Sequence, residues 1–349
     1  MKNKTTIRRE TNMEMLRIGA IMLISLMHGI KSAYGSPNAL NDIAHFAINT
    51  VGNMGVTVFV LLSGFYSIHF RLSKLIKLWL TVLSYSLIIF GVDLWLSETP
   101  LTTKEFIKGL YTALTPITSG TWWFISSYFI VFLLSPLLNL AAEKMKKQQF
   151  QYLLVVLLLI YSLSPTFLLH PMSDNLYGKC TENMILAYLI GRYLALHGIP
   201  DILTRRAGWI FVGCTTFIFC FNYMMSSPFF MSKDNNLFII IGATSLFILF
   251  RKMNTDWGIF NSIVLKGATY AFPLYLLNWW LIGLIEPTYA PLANENLFLI
   301  YFFVSQLAII LITIITESLR RLLLDYPTNL LGNYVDRKFS GALSNILTL

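Results

Sequence analysis

A chain of 349 residues with 56% apolar and only 12% charged side chains carries about half the charge of a typical soluble domain. This balance excludes an ordinary soluble enzyme and predicts an all-α polytopic membrane protein. The net charge of +9 invites a nucleic-acid reading, but its distribution along the chain, described below, excludes a nucleic-acid footprint. Cys180, Cys214 and Cys220 have neither metal-ligand spacing nor a disulfide pattern, and no His/Asp/Glu cluster or glycine-rich phosphate loop is present. No bound metal or cofactor is therefore expected.

Apolar windows predict about ten transmembrane helices, at 13–32, 46–69, 75–97, 121–140, 151–170, 180–197, 208–227, 236–251, 262–285 and 297–316. The first window lacks a small-residue cleavage site and reads as a retained helix. Charge then alternates between the connecting segments. Lys2, Lys4, Arg8 and Arg9, then Arg71, Lys74 and Lys77, then Lys144, Lys146 and Lys147 fall on the side of the N-terminus. Arg192, Arg205 and Arg206, then Arg251, Lys252 and Lys266, then Arg320, Arg321, Arg337 and Lys338 fall there too. The opposite side has only Lys31, Lys104, Lys108, Lys179 and Lys233. This asymmetry predicts both termini in the cytoplasm and an even number of spans. With no linker, repeat or low-complexity tract, the expectation is a single integral membrane domain over 1–349 with short cytoplasmic tails at about 1–11 and 322–349.

The first helix carries the most unusual pair of side chains. Arg17 stands near its cytoplasmic mouth, and His28 lies eleven residues on within the same apolar run. Eleven helical steps leave them only ~20° apart in azimuth and about 16 Å apart along the axis. Arg17 alone suits a snorkelling anchor and His28 alone suits a hydrogen-bonded bundle residue. On one face, together, they suggest a tunnel that receives an anionic donor and ends at a general base.

The second helix holds Gly52, Gly55 and Gly64, which permit close backbone approach, and Ser63, which can bond across helices. At its cytoplasmic end Arg71, Lys74 and Lys77 recur every third residue. They are either an ordinary positive-inside loop or a phosphate clamp. Trp122 and Trp123 at the outer end of the fourth helix suit an aromatic belt or a sugar-stacking wall. In the ninth helix Pro273 predicts a kink beside Tyr275 and Asn278. Glu317 suits an ion pair with Arg320 or Arg321, and Asp93 a solvated helix end.

At these residues the chain resembles the acyltransferase-3 superfamily of integral membrane O-acyltransferases. The likeness rests on Arg17 and His28 with ten residues between them, on the second helix ending Leu62-Ser63-Gly64-Phe65, and on the basic pair Arg71 and Lys74. It continues at Trp123-Phe124, at Tyr275-Leu276-Leu277 and at Glu317 ahead of a basic tail. Asn278 stands where many members have histidine, and Ser318 where proline is common. The resemblance implies a bacterial plasma-membrane enzyme that moves an acetyl or other short acyl group from cytoplasmic acyl-CoA to a hydroxyl of an extracytoplasmic glycan or glycolipid. It implies that His28 is the base, that Arg17 orients the site, and that Arg71 and Lys74, with Lys77 beside them, hold the CoA phosphates. Trp122, Trp123, Tyr275, Asn278 and Glu317 would support substrate or site, with Asn53, Ser63 or Tyr275 facing the oxyanion. The acceptor is expected to enter near the Trp pair and a loop around Asn38–His45. A transporter or flippase of a glycan or lipid intermediate is the alternative, although no inverted repeat with paired broken helices is evident.

Overall fold

The computed structural model describes residues 9–168, 172, 176–255 and 257–347, and among these the chain is all helical with no strand. Fourteen α-helices follow in order: α1 (Thr11–Gly29), α2 (Ala39–Gly52), α3 (Met54–Phe65), α4 (Leu72–Leu96), α5 (Thr103–Leu114), α6 (Trp123–Lys144) and α7 (Lys147–Leu158). Then come α8 (Ser164–Phe167), α9 (Thr181–His197), α10 (Asp201–Met224), α11 (Leu237–Lys252), α12 (Ile259–Gly267), α13 (Ala271–Tyr289) and α14 (Phe298–Leu347). Seven helical stretches among the described residues are long and apolar enough to cross a membrane: Ala39–Phe65, Leu72–Leu96, Trp123–Lys144, Lys147–Phe167, Asp201–Met224, Ile259–Leu292 and Phe298–Lys338. The other three predicted spans also form helices. However, α9 and α11 have only 17 and 16 residues, and α1 carries Glu14, Arg17 and His28. These three are the helices the bundle wraps around: α3 packs on α1, α9 and α11.

Several predicted boundaries move for local reasons. The second span begins at Ala39 rather than 46, because the Asn38 side chain accepts from the backbone N–H groups of Leu40 and Asn41 and caps α2. The region expected to be a loop around Asn38–His45 is therefore mostly helix. That span also breaks at Asn53, between α2 and α3. Pro273 does not kink the ninth span. It sits in the first turn of α13, where no intrahelical N–H is required of it, and the interruption is a 3₁₀ turn at Ala268–Tyr270 just before. The fifth span carries a π turn at Leu159–Leu163 ahead of Pro165. The expected tail after 322 continues α14 as helix. Helix α5 was not foreseen: twelve residues, started by a Thr102–Glu105 capping box, with Phe106, Ile107 and Tyr111 exposed.

Two glycines set the closest crossing. A Cβ on Gly64 would lie 2.1 Å from the Tyr188 carbonyl oxygen, and one on Gly191 would lie 2.3 Å from that of Leu61. No side chain fits there, so α3 and α9 touch backbone to backbone. Around this contact, Val58, Leu61, Leu62, Phe247 and Ile239 form a fully buried cluster. Gly64→Ala is expected to cost about 1–3 kcal/mol through overpacking, read as a lowered melting midpoint in detergent. Gly91→Ala, in α4 with no atom within 4 Å of the added Cβ, should leave the midpoint unchanged or raise it slightly, and equal loss in both variants would refute the crossing argument.

Candidate active site around His28

The C-terminal half of α1 is walled by α2, α3 and α13, and here the bundle encloses a cavity of about 650 Å³. His28 faces into it, with Asn49 and Asn53 from the α2–α3 break, Trp123 from α6 and Tyr275 and Trp279 from α13. The remaining wall comes from the segments before α9 and α11, including Tyr177, Lys179, Lys233 and Asp234. A volume of this size suits a small ligand or one or two sugar rings.

The imidazole is held on two sides. Its Nδ1 lies 3.2 Å from Asn278 Oδ1. With the Asn278 amide in this orientation, its oxygen only accepts, so the bond calls for the proton on Nδ1 and leaves the Nε2 lone pair free, while the buried Asn278 nitrogen has no partner among the described residues. The ring also meets Trp279 edge-on, with centroids 5.1 Å apart. Asn278 is itself buried. An imidazole with a fixed tautomer and a free basic nitrogen is equipped to take a proton from a hydroxyl.

Arg17 lies outside this cavity. It donates to both Glu14 carboxylate oxygens, at 2.8 and 2.6 Å, and its guanidinium stands 5.9 Å from the Phe59 ring centroid. Glu14 also accepts from Arg9, and nearby Glu10 accepts from Arg251 and from the Tyr66 hydroxyl. Between Phe59 and the His28 cavity lies a narrow apolar neck, a void of only about 10 Å³ lined by Ile21, Ile24, Val56, Phe124 and Tyr275 among others. Ile24, Val56 and Tyr275 line both spaces, so the neck adjoins the cavity.

The other predicted residues divide in the same way. Trp123 and Tyr275 line the cavity, whereas Trp122 is buried beside it and its indole N–H donates to the Leu276 carbonyl at 3.2 Å. Arg71, Lys74 and Lys77 stand at the start of α4, away from the cavity, and Arg71 is the residue immediately before the helix. That helix start is capped by a residue with no signal in the sequence: the Asp336 carboxylate accepts from the Ser73 N–H and, at 2.6 Å, from its hydroxyl. Glu317 is buried and accepts from the Tyr85 hydroxyl at 2.7 Å as well as from Arg320 and Arg321, forming a tie between α4 and α14. Asp93 is not merely solvated: it accepts from the Trp280 indole at 2.7 Å.

Of the three groups considered for an oxyanion, Ser63 lies outside the cavity and bonds to the Phe59 carbonyl and the Tyr128 hydroxyl. Asn53 faces the cavity, but its amide nitrogen donates to Asn49. The Tyr275 hydroxyl faces the cavity and makes no hydrogen bond among the described residues. Sequence reasoning missed Asp234, Trp279 and the role of Lys31, Lys179 and Lys233. Trp279 had no readable signal, since on a helix it points about 100° away from Asn278, and its place beside His28 follows from packing.

A histidine-bearing polar cavity inside a bundle of long apolar helices defines a multi-pass membrane protein with an internal reaction or binding chamber. The chain belongs to the acyltransferase-3 family: the family model, described as an acyltransferase domain, matches residues 10–317. No curated protein and no solved structure matches it.

Asp234 gives the chamber a measurable pH signature. It sits in the segment between α10 and α11, and burial raises its carboxyl from 3.8 to about 7, with Lys179 opposing. Below pH 3.8 both folded and unfolded chains hold the proton and nothing is lost. As pH rises toward 7 the unfolded chain releases it first, so stability falls, and above 7 the full penalty, about 4 kcal/mol, stands. Asp234→Asn should therefore raise the melting midpoint much more at pH 8 than at pH 5; an equal gain at both would contradict this assignment.

Proposed function

We propose that this protein is a membrane O-acyltransferase that moves an acetyl or similarly short acyl group from acyl-CoA to a hydroxyl of an extracytoplasmic glycan or glycolipid. The observation that supports it best is the His28–Asn278 bond inside the chamber, which leaves Nε2 free to act as a base. In this reading the chain forms ten spans with both termini cytoplasmic, in the plasma membrane of a bacterium, as the charge alternation of its loops suggests.

The acyl-CoA docks from the cytoplasm with its phosphates near Arg71 and Lys74, assisted by Lys77. Its slender pantetheine arm follows the neck past Phe59 and Ile24, and its thioester reaches His28. The apolar lining of the neck suits the uncharged arm, which must part these side chains to pass. Arg17, anchored by Glu14, lies at the far end of this path, where it orients the donor. The acceptor enters the wider chamber between Trp123 and Trp279.

As the acceptor oxygen attacks the thioester carbonyl, His28 Nε2 takes the hydroxyl proton. The carbonyl becomes a tetrahedral oxyanion, to which the unspent Tyr275 hydroxyl donates. Collapse breaks the carbon–sulfur bond, the imidazolium returns its proton to the leaving thiolate, and free CoA and an ester result. The Asn278 bond stabilises the one imidazole orientation that serves both proton transfers. A positioned base of this kind typically contributes about 10²–10⁴-fold.

His28→Ala should abolish CoA release from acyl-CoA in the presence of acceptor, with the purified protein still monodisperse in detergent; retained turnover would refute the base assignment. Arg71→Ala combined with Lys74→Ala should raise the KM for acyl-CoA about tenfold or more while changing that for acceptor little. Matching changes in both constants would instead indicate a folding defect. Absence of thiol release with any glycan, together with accumulation of glycan intermediates in cells lacking the protein, would favour transport.

A further inference from the structure

Lysine is scarce on one side of this chain, and three of its five lysines there meet at one place. Lys31 follows α1, Lys179 precedes α9 and Lys233 precedes α11, yet all three line the His28 chamber. Three ammonium groups drawn together from separate segments repel one another, so the arrangement needs a compensating anion. Protein groups provide little. Among the described residues none of the three takes part in an ion pair. Among the described residues the only carboxylate lining the chamber is Asp234, and burial pushes its carboxyl up to about 7, so it offsets little of the positive charge near neutrality. Glu286 acts on Lys31 only from beyond ion-pair distance.

Two of the lysines rest on aromatic rings instead. Lys31 Nζ lies 3.6 Å from the Trp279 ring centroid, and Lys233 Nζ lies 4.8 Å from that of Tyr177. Such contacts position an ammonium without neutralising it. The same Trp279 touches His28, so the positive charge stands within one side chain of the base.

We propose that the acceptor is anionic: a carboxylate or phosphate on the glycan is held by Lys31, Lys179 and Lys233 while its neighbouring hydroxyl is presented to His28. This rests on the acyl-transfer reading and adds the chemical class of the acceptor. An anion in the chamber has two sources, the acceptor and the phosphates of CoA. The acceptor fits better, because the lysines lie at the His28 end of α1, beyond the apolar neck from Arg17. Trp279 and Trp123 supply flat faces for the sugar ring beside the charge.

The test compares p-nitrophenyl glucuronide with p-nitrophenyl glucoside, which differ by a carboxylate in place of a hydroxymethyl group. Both are titrated calorimetrically into the full chain in lipid nanodiscs, and CoA release from acetyl-CoA is followed in parallel. The glucuronide should bind about tenfold more tightly, as expected for one or two charge-assisted contacts, and the preference should shrink as salt is raised. The combined variant Lys31→Gln, Lys179→Gln, Lys233→Gln should bind both probes equally and keep its affinity for CoA. Lys104→Gln with Lys108→Gln, away from the chamber in α5, should retain the preference. Equal binding of the two probes by the unaltered protein, or no binding of either, overturns the proposal. So does a lysine variant that loses CoA affinity instead, since the charges would then serve the donor. Tight glucuronide binding without CoA release from any acceptor would overturn acyl transfer and leave the anion site standing.

Discussion

Helix α1 is too polar to face lipid, and the rest of the bundle is arranged around that constraint. It carries Glu14, Arg17 and His28 within 19 residues, and each would be costly in hydrocarbon without a protein partner. The structure satisfies them at two levels. Near the N-terminal end Glu14 binds Arg17 and Arg9, while Arg251 from the end of α11 closes on Glu10. Near the C-terminal end Asn278 holds His28 and Gln306 accepts from Ser25. Covering the polar side of such a helix requires neighbours that approach closely, and its exposed Met22 lies on the uncovered side. Gly52 and Gly55 bring α2 and α3 against the Leu23 and Ala20 carbonyls of α1, while Gly64 and Gly191 bring α9 behind α3. The glycine-rich second span is therefore the means by which a charged helix stays away from lipid.

The division of α1 into two polar ends separated by apolar residues also divides the space around it. Ile21 and Ile24 lie between Arg17 and His28, and the neck forms at their level because Phe59, Val56, Phe124 and Tyr275 close on them. The neck is lined by aliphatic and aromatic side chains, with no charged group among them. In the acyl-transfer reading proposed above, the donor's charged head stays among basic side chains, its thioester reaches the imidazole, and the acceptor uses the wide end.

The part of this arrangement legible in the sequence is the part carried by period and by rare residues. Each predicted span overlaps helix among the described residues, although residues 169–170 of the fifth lie outside them, because long apolar windows have few other stable forms in a membrane. That His28 and Tyr275 line one cavity was within reach, because histidine is rare in such windows and Tyr275 belongs to an element the resemblance rests on. What escaped depended on long-range contacts. The shared azimuth of Arg17 and His28 suggested one polar face, but it did not show that Glu14, three residues away, anchors the guanidinium outside the His28 cavity. Asp336 caps α4 across 263 residues of chain, and no local pattern announces that. Lys31, Lys179 and Lys233 looked like stray outer charges because their convergence exists only once α1, α9 and α11 are packed.

The choice of Asn278 beneath the base has a chemical consequence of its own. A carboxylate in that position would fix the same tautomer but would also add a negative charge to a chamber that already holds Asp234. A second imidazole would add a titratable proton and an ambiguous tautomer. The amide oxygen does one thing, orienting Nδ1–H, and leaves the electrostatics of the chamber to Lys31, Lys179, Lys233 and whatever anion they meet. If the lysines bind an anionic acceptor as proposed, a neutral partner beneath His28 leaves their charge available to it. The amide beneath the imidazole and the lysines, which form no ion pair among the described residues, then belong to one electrostatic design.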